Sequence, residues 1–118
     1  MSSTHAAKTA ARLAAVFARN RPTVGGFIAA RDALEALSLC NRWSAAALTL
    51  TNGGRDGTDP DDRTTREAQI ARAERMQAKT RAALVKFARA YGVKFENTGG
   101  GLYLNAKTAS GEIITWNA

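Results

Sequence analysis

Cysteine and histidine occur once each in 118 residues, and each shortage removes a class of explanation. With Cys40 alone, no intrachain disulfide can form, so the fold has to rest on a core, for which this length suffices. With His5 alone, the ligand sets of ordinary zinc sites are missing, and no nucleophile–base–acid set is visible in the residue pattern. No cofactor or metal is expected. No apolar run approaches the roughly 20 residues that cross a bilayer. Residues 1–20 are broken by Lys8, Arg12 and Arg19, so they lack the continuous apolar stretch of a signal peptide. Their Arg-rich, acid-free pattern is shared by organellar presequences and by ordinary first helices, and is taken here as a helix. The expectation is a soluble, cytoplasmic protein of one domain over residues 1–118, without internal repeats.

Acidic residues are also scarce. Ten Asp and Glu stand against 17 Lys and Arg, a formal charge of +7 with a pI near 10.3, which speaks to association rather than fold. The excess is uneven. Residues 51–67 are locally acidic, residues 92–118 are neutral, and the surplus concentrates before and between them. Arginine outnumbers lysine, which suits bidentate phosphate contacts. The same bias follows from an alanine-rich, GC-rich coding background, so it carries no weight.

What is present in strength is one helical pattern over residues 64–91. Ile70, Ala73, Gln77, Thr80, Leu84, Phe87 and Tyr91 recur at alternating spacings of three and four and share one stripe. Arg72, Arg75, Lys79, Lys86 and Arg89 fall together on the other side, while Glu67 and Glu74 lie away from them. An ordinary solvated face mixes its signs; this one does not. Thr64 or Thr65 caps the helix, and Glu67, three residues after Thr64, completes a capping box. Gly92 supplies the left-handed residue that ends it.

Before this helix, Ser3 or Thr4 can cap a first helix running to Asn20, with Ala6, Ala10, Leu13, Ala14 and Phe17 on its apolar stripe. Arg21-Pro22 stops it. A second helix over residues 24–39 turns Phe27, Ala30, Leu34 and Leu37 inward. Residues 41–50 read as a third short helix stopped by Asn52-Gly53-Gly54. The alternation at residues 48–51 also suits a strand, but no partner strand follows, so helix is preferred. Residues 52–63 form a polar Gly/Asp loop. As a calcium loop, Asp56 to Glu67 fails, because Asp61 stands where the turn glycine is required.

After Gly92, three strands over residues 93–97, 102–107 and 112–116 are joined by glycine-containing turns. Val93, Phe95, Leu102, Leu104, Ile114 and Trp116 form the buried face. Lys94, Glu96, Tyr103, Asn105, Lys107, Ile113 and Thr115 form the open one. The fold class is therefore α+β: an N-terminal helical layer of two or three helices (residues 1–51), one long basic amphipathic helix, and a C-terminal three-stranded antiparallel β-meander (residues 93–117).

Two segments carry resemblances. Leu37-Ser38-Leu39-Cys40 followed by Asn41-Arg42-Trp43 and residues 45–48 resembles the spacing of a helix-turn-helix. That resemblance implies Asn41, Arg42 and Ser44 facing outward, with Leu37, Leu39 and Leu48 inward; Ser38 stands where the turn glycine is usual. Residues 81–116, a helix, a glycine and three strands, are similar in order and spacing to HicA-type toxins, which are mRNA endonucleases. Their Gly-Ser-His motif corresponds here to Gly100-Gly101-Leu102, so the catalytic histidine has no counterpart. What the resemblance leaves is an open sheet face where Tyr103 could stack a base beside Lys94 and Lys107.

The function expected from these patterns is non-enzymatic binding of DNA or RNA, or another polyanion, by Arg72, Arg75, Lys79, Lys86 and Arg89, with Arg42, Lys94, Tyr103 and Lys107 as additions. A first alternative is a protein-interaction module, such as a small adaptor or a virus-encoded inhibitor, gripping an acidic protein surface with Trp43 and Trp116 as anchors. A second is a degenerate HicA-like ribonuclease.

Overall fold

The long period-3.6 stretch forms the longest of the described helices, and the elements on either side of it follow from their own caps and turns. The computed structural model describes residues 2–20, 27–53, 65–98 and 101–115, with residues 2–5, 27, 28 and 98 described by backbone alone. The order is α1 (Ser2–Asn20), α2 (Phe27–Thr51), α3 (Arg66–Tyr91), β1 (Val93–Thr98), β2 (Tyr103–Thr108) and β3 (Ile113–Ile114). The strands make one antiparallel sheet in the order β1-β2-β3, with Lys94 opposite Lys107 and Ala106 opposite Ile114. The fold is α+β with a C-terminal β-meander.

Helix α3 has the boundaries its sequence signals. Thr65, in an extended conformation, accepts the Ala68 amide with its side chain, filling one of the orphan donors of the first turn. Of the two threonines offered by the sequence, Thr65 is thus the cap, and the capping box expected between Thr64 and Glu67 involves a residue outside the described ones. Glu67 still lies in the first turn, where the helix dipole favours it. At the other end Gly92 adopts φ +64° and its amide returns to the Ala88 carbonyl. That left-handed conformation is strained for any side chain, which explains glycine there.

The helical layer differs from expectation in one respect. The helices expected over residues 24–39 and 41–50 are a single helix, α2, with no turn at Ser38–Asn41. Nothing there breaks a helix: serine and asparagine cost only about 0.5 kcal/mol each relative to alanine. Leu37, Leu39, Cys40 and Trp43, all buried across that stretch, offset it. The helix-turn-helix resemblance is thereby overturned, since its turn does not exist. Residues 44–51 are helical, and Gly53 (φ +71°) follows the end.

The inward register of α2 also shifts. Ala29, Ala33, Ala36, Leu37, Cys40, Trp43 and Ala47 are buried, whereas Ala30 and Leu48 are exposed and Leu34 is 60% exposed. The reason lies in the surroundings. Helix α2 packs against α1, α3 and β2 together, so its covered sector is wide. Alanines allow the neighbouring backbones to approach closely, and the bulkier Leu34 and Leu48 are left outside. On α1, Ala10, Leu13 and Phe17 are buried as expected, joined by Thr9 and Val16, while Ala6 is exposed.

The sheet covers the helices with Val93, Phe95, Leu104, Ala106 and Ile114, all buried. Asn105 belongs by alternation to the open face but is only 5% exposed, and its Oδ1 has no hydrogen-bond partner among the described residues. Strand β3 is two residues long, shorter than expected. Trp116, Thr64, residues 21–26 and the aspartates of residues 56–62 lie outside the described residues.

Cys40 is enclosed in this core, and burial pushes its thiol from 9.0 up to about 12, opposed by the nearby Arg81 guanidinium. Desolvation disfavours the thiolate. Below pH 9 both folded and unfolded chains keep this proton; above it the unfolded chain releases it first. Stability associated with Cys40 is therefore complete below pH 9 and falls as pH rises toward 12. Urea titrations should show wild type losing stability relative to Cys40→Ala across that window; parallel curves would refute this.

Candidate nucleic-acid interface

The apolar stripe and the basic stripe of α3 are separated in the folded chain. Ala73, Thr80, Leu84 and Tyr91 are buried, and Ile70, Gln77 and Phe87 are partly covered. Thr80 sits there without penalty, because its hydroxyl donates to the Met76 carbonyl at 2.8 Å. Arg72, Arg75, Lys79, Lys86 and Arg89 are all exposed. Among the described residues none of these five makes an ion pair; the pairs that do form are Arg12–Glu112, Lys94–Glu96 and Lys107–Glu96. Arg81 lies between the two stripes and, though exposed, donates to the Phe95 carbonyl, so it belongs to the α3–β1 junction.

The remaining cations are of a different kind. Arg12 is bound to Glu112 at 2.5 Å, tying α1 to the residue before β3. On the open face of the sheet, Glu96 lies between Lys94 at 3.7 Å and Lys107 at 3.9 Å. Such exposed pairs contribute about 0–1 kcal/mol to stability, but they halve the positive field of that face. Tyr103 is 42% exposed and is four positions from Lys107 on the same strand, about 13 Å along it. The sheet therefore does not gather Tyr103, Lys94 and Lys107 into one site, contrary to the expectation of a tyrosine beside two lysines. Trp43 is 8% exposed within the core, so it is not presented to a partner as an anchor. Its position one residue after Arg42 is helical and inward, whereas Arg42 itself is exposed.

Among the described residues, grooves between α2 and α3 differ in charge. One, of about 320 Å³, is lined by Arg42, Ala45, Ala46 and Thr49 from α2 and by Gln69, Arg72, Ala73 and Met76 from α3. It sets Arg42 and Arg72 on opposite walls. The other, also about 320 Å³, is lined by Asp32, Glu35, Ala83, Lys86, Phe87, Ala90 and Tyr91. There the Tyr91 hydroxyl donates to Asp32 Oδ2 at 2.5 Å. Lys86 thus shares its groove with two carboxylates, whose charge opposes its own across the groove. Among the described residues, Arg42, Arg72, Arg75, Lys79 and Arg89 are exposed and line no groove that holds a carboxylate.

The convergence of Arg42 with Arg72 and the opposition of Asp32 and Glu35 to Lys86 were not readable from the sequence. Both depend on how α2 and α3 pair. Periodicity marks which residues share a face of one helix, but carries no signal for which residue of another helix stands across from them. Among the described residues no three His, Cys, Asp or Glu side chains gather as metal ligands, and no helix is long and apolar enough to cross a membrane. No protein-family model, curated protein or solved structure matches this chain, so the functional reading rests on the geometry of this surface.

Proposed function

We propose that the protein binds nucleic acid through the outer face of α3, with Arg42 of α2 extending the contact surface. The observation that carries this reading is the row of exposed side chains Arg72, Arg75, Lys79, Lys86 and Arg89, none of them ion-paired among the described residues, while the opposite stripe of the same helix is packed. Polyanions bind such a row by releasing condensed counterions, and the strength then depends on salt. A row of this kind is suited to phosphate contacts, and the activity proposed is binding.

Mobility-shift titrations with duplex DNA, single strands and structured RNA test this across a salt series. Four or five phosphate contacts give a log–log slope of about −4. A slope near zero, or no complex with any of the three, would remove the proposal. Stable retention of an acidic protein in place of nucleic acid would transfer the same surface to the protein-interaction reading.

A further inference from the structure

Resting on that reading of α3, we infer that the groove carrying Arg42 and Arg72 receives one unstacked nucleotide of a single strand. Its phosphate lies between the two guanidinium groups and its base lies on the apolar floor. The groove's volume of about 320 Å³ falls in the small-molecule range of roughly 300–1,000 Å³. Its floor is Ala45, Ala46, Ala73 and Met76, three small side chains and a thioether. Alanines leave room for a flat ring between the helices, and methionine sulfur packs favourably on aromatic faces.

The walls match the rest of the unit. Guanidinium groups bind phosphate in a bidentate fork and also stack on planar rings. Thr49 adds a hydroxyl whose hydrogen is committed to the Ala45 carbonyl at 3.2 Å, leaving oxygen lone pairs toward donors on a base edge. The groove is continuous with the phosphate-binding face, because Arg72 belongs to both and Arg75 and Lys79 follow it on α3. A strand following those cations can therefore drop one base between the helices. A paired, stacked base has its edge committed and its faces covered, so a duplex meets the same cations without entering the groove. The second α2–α3 groove offers no such site, since Asp32 and Glu35 line it and repel phosphate.

The test uses the full chain with two fluorescent probes, an oligothymidylate and a duplex of the same length, read by anisotropy. Ala45→Leu fills the groove at an exposed helical position without altering charge. It should weaken oligothymidylate binding roughly tenfold, the scale of one lost base contact, and leave duplex binding unchanged. Met76→Ala, which removes the floor, should act in the same direction and decides the matter if the leucine variant does not fold by circular dichroism. Equal losses for both probes, no loss for either, or a wild-type preference for duplex overturns the inference while leaving the basic-face reading intact. Absence of binding by wild type to both probes overturns the two together.

Discussion

Arg75→Glu combined with Lys79→Glu abolishes nucleic-acid binding at about 0.1 M salt, while Lys86→Glu alone weakens it only severalfold. The double reversal changes the charge by −4, from +7 to +3, and places two anions inside the row that phosphates would follow. Two contacts of five are lost outright, so the remaining salt slope falls to about −3 or shallower. The neighbouring carboxylates add repulsion. Lys86 behaves differently because Asp32 and Glu35 share its groove and already cancel part of its field. Both Arg75 and Lys79 are exposed, and glutamate is close to arginine and lysine in helix propensity. The far-ultraviolet spectrum should therefore match wild type. Mobility-shift titration reads the outcome, and undiminished affinity of the double variant at moderate salt would end the proposal. A Lys86→Glu effect as large as the double variant's would show that the electrostatic centre lies farther along α3.

Phe17→Ala should be the most damaging core substitution, with a loss of about 3–5 kcal/mol of folding stability. Phe17 is fully buried and stands where three helices meet. Its ring lies parallel to Tyr91 with centroids 3.9 Å apart and an interplanar angle of 4°, and it stacks on Phe87 at 6.1 Å. Tyr91 in turn donates its hydroxyl to Asp32 on α2. One aromatic column thus connects α1 to α3, and one hydrogen bond connects α3 to α2. Removing the ring leaves a cavity bounded by stiff aromatic walls, which collapse poorly, so the upper part of the range applies. Urea denaturation gives the measurement. A loss under about 1 kcal/mol would mean that the three helices are joined elsewhere.

How much of this was legible in the chain differs from element to element. For α3 the apolar period, a threonine cap and a terminal glycine all agree, and such mutual agreement leaves little freedom. The meander was legible for a similar reason: Gly101 and Gly111, at φ +86° and +91°, are turn positions that side chains avoid, and alternation between them named most of the buried face. In α2 the agreement fails. Its alanines and leucines offer two competing apolar stripes, one through Ala29, Ala33, Ala36 and Cys40 and one through Ala30, Leu34 and Leu37. Hydrophobicity favours the second stripe, yet packing buried the first and left Ala30 and Leu34 outside, keeping only Leu37 of the second. The local weakness at Ser38 and Asn41 suggested a turn, but burial of Leu37, Leu39 and Trp43 carried the helix through it.

The chain alone determined that this protein has a basic helix face set apart from its packing face, because both belong to the geometry of a single helix and need no partner to define them. Which cations meet a carboxylate among the described residues was decided only on folding. Glu96 reached Lys94 and Lys107, Glu112 reached Arg12, and Asp32 and Glu35 came to stand beside Lys86. The pairing of Arg42 with Arg72 across a groove was settled in the same way. Helical periodicity is a local, short-range property, whereas electrostatic pairing between elements depends on distances through space that chain spacing does not encode.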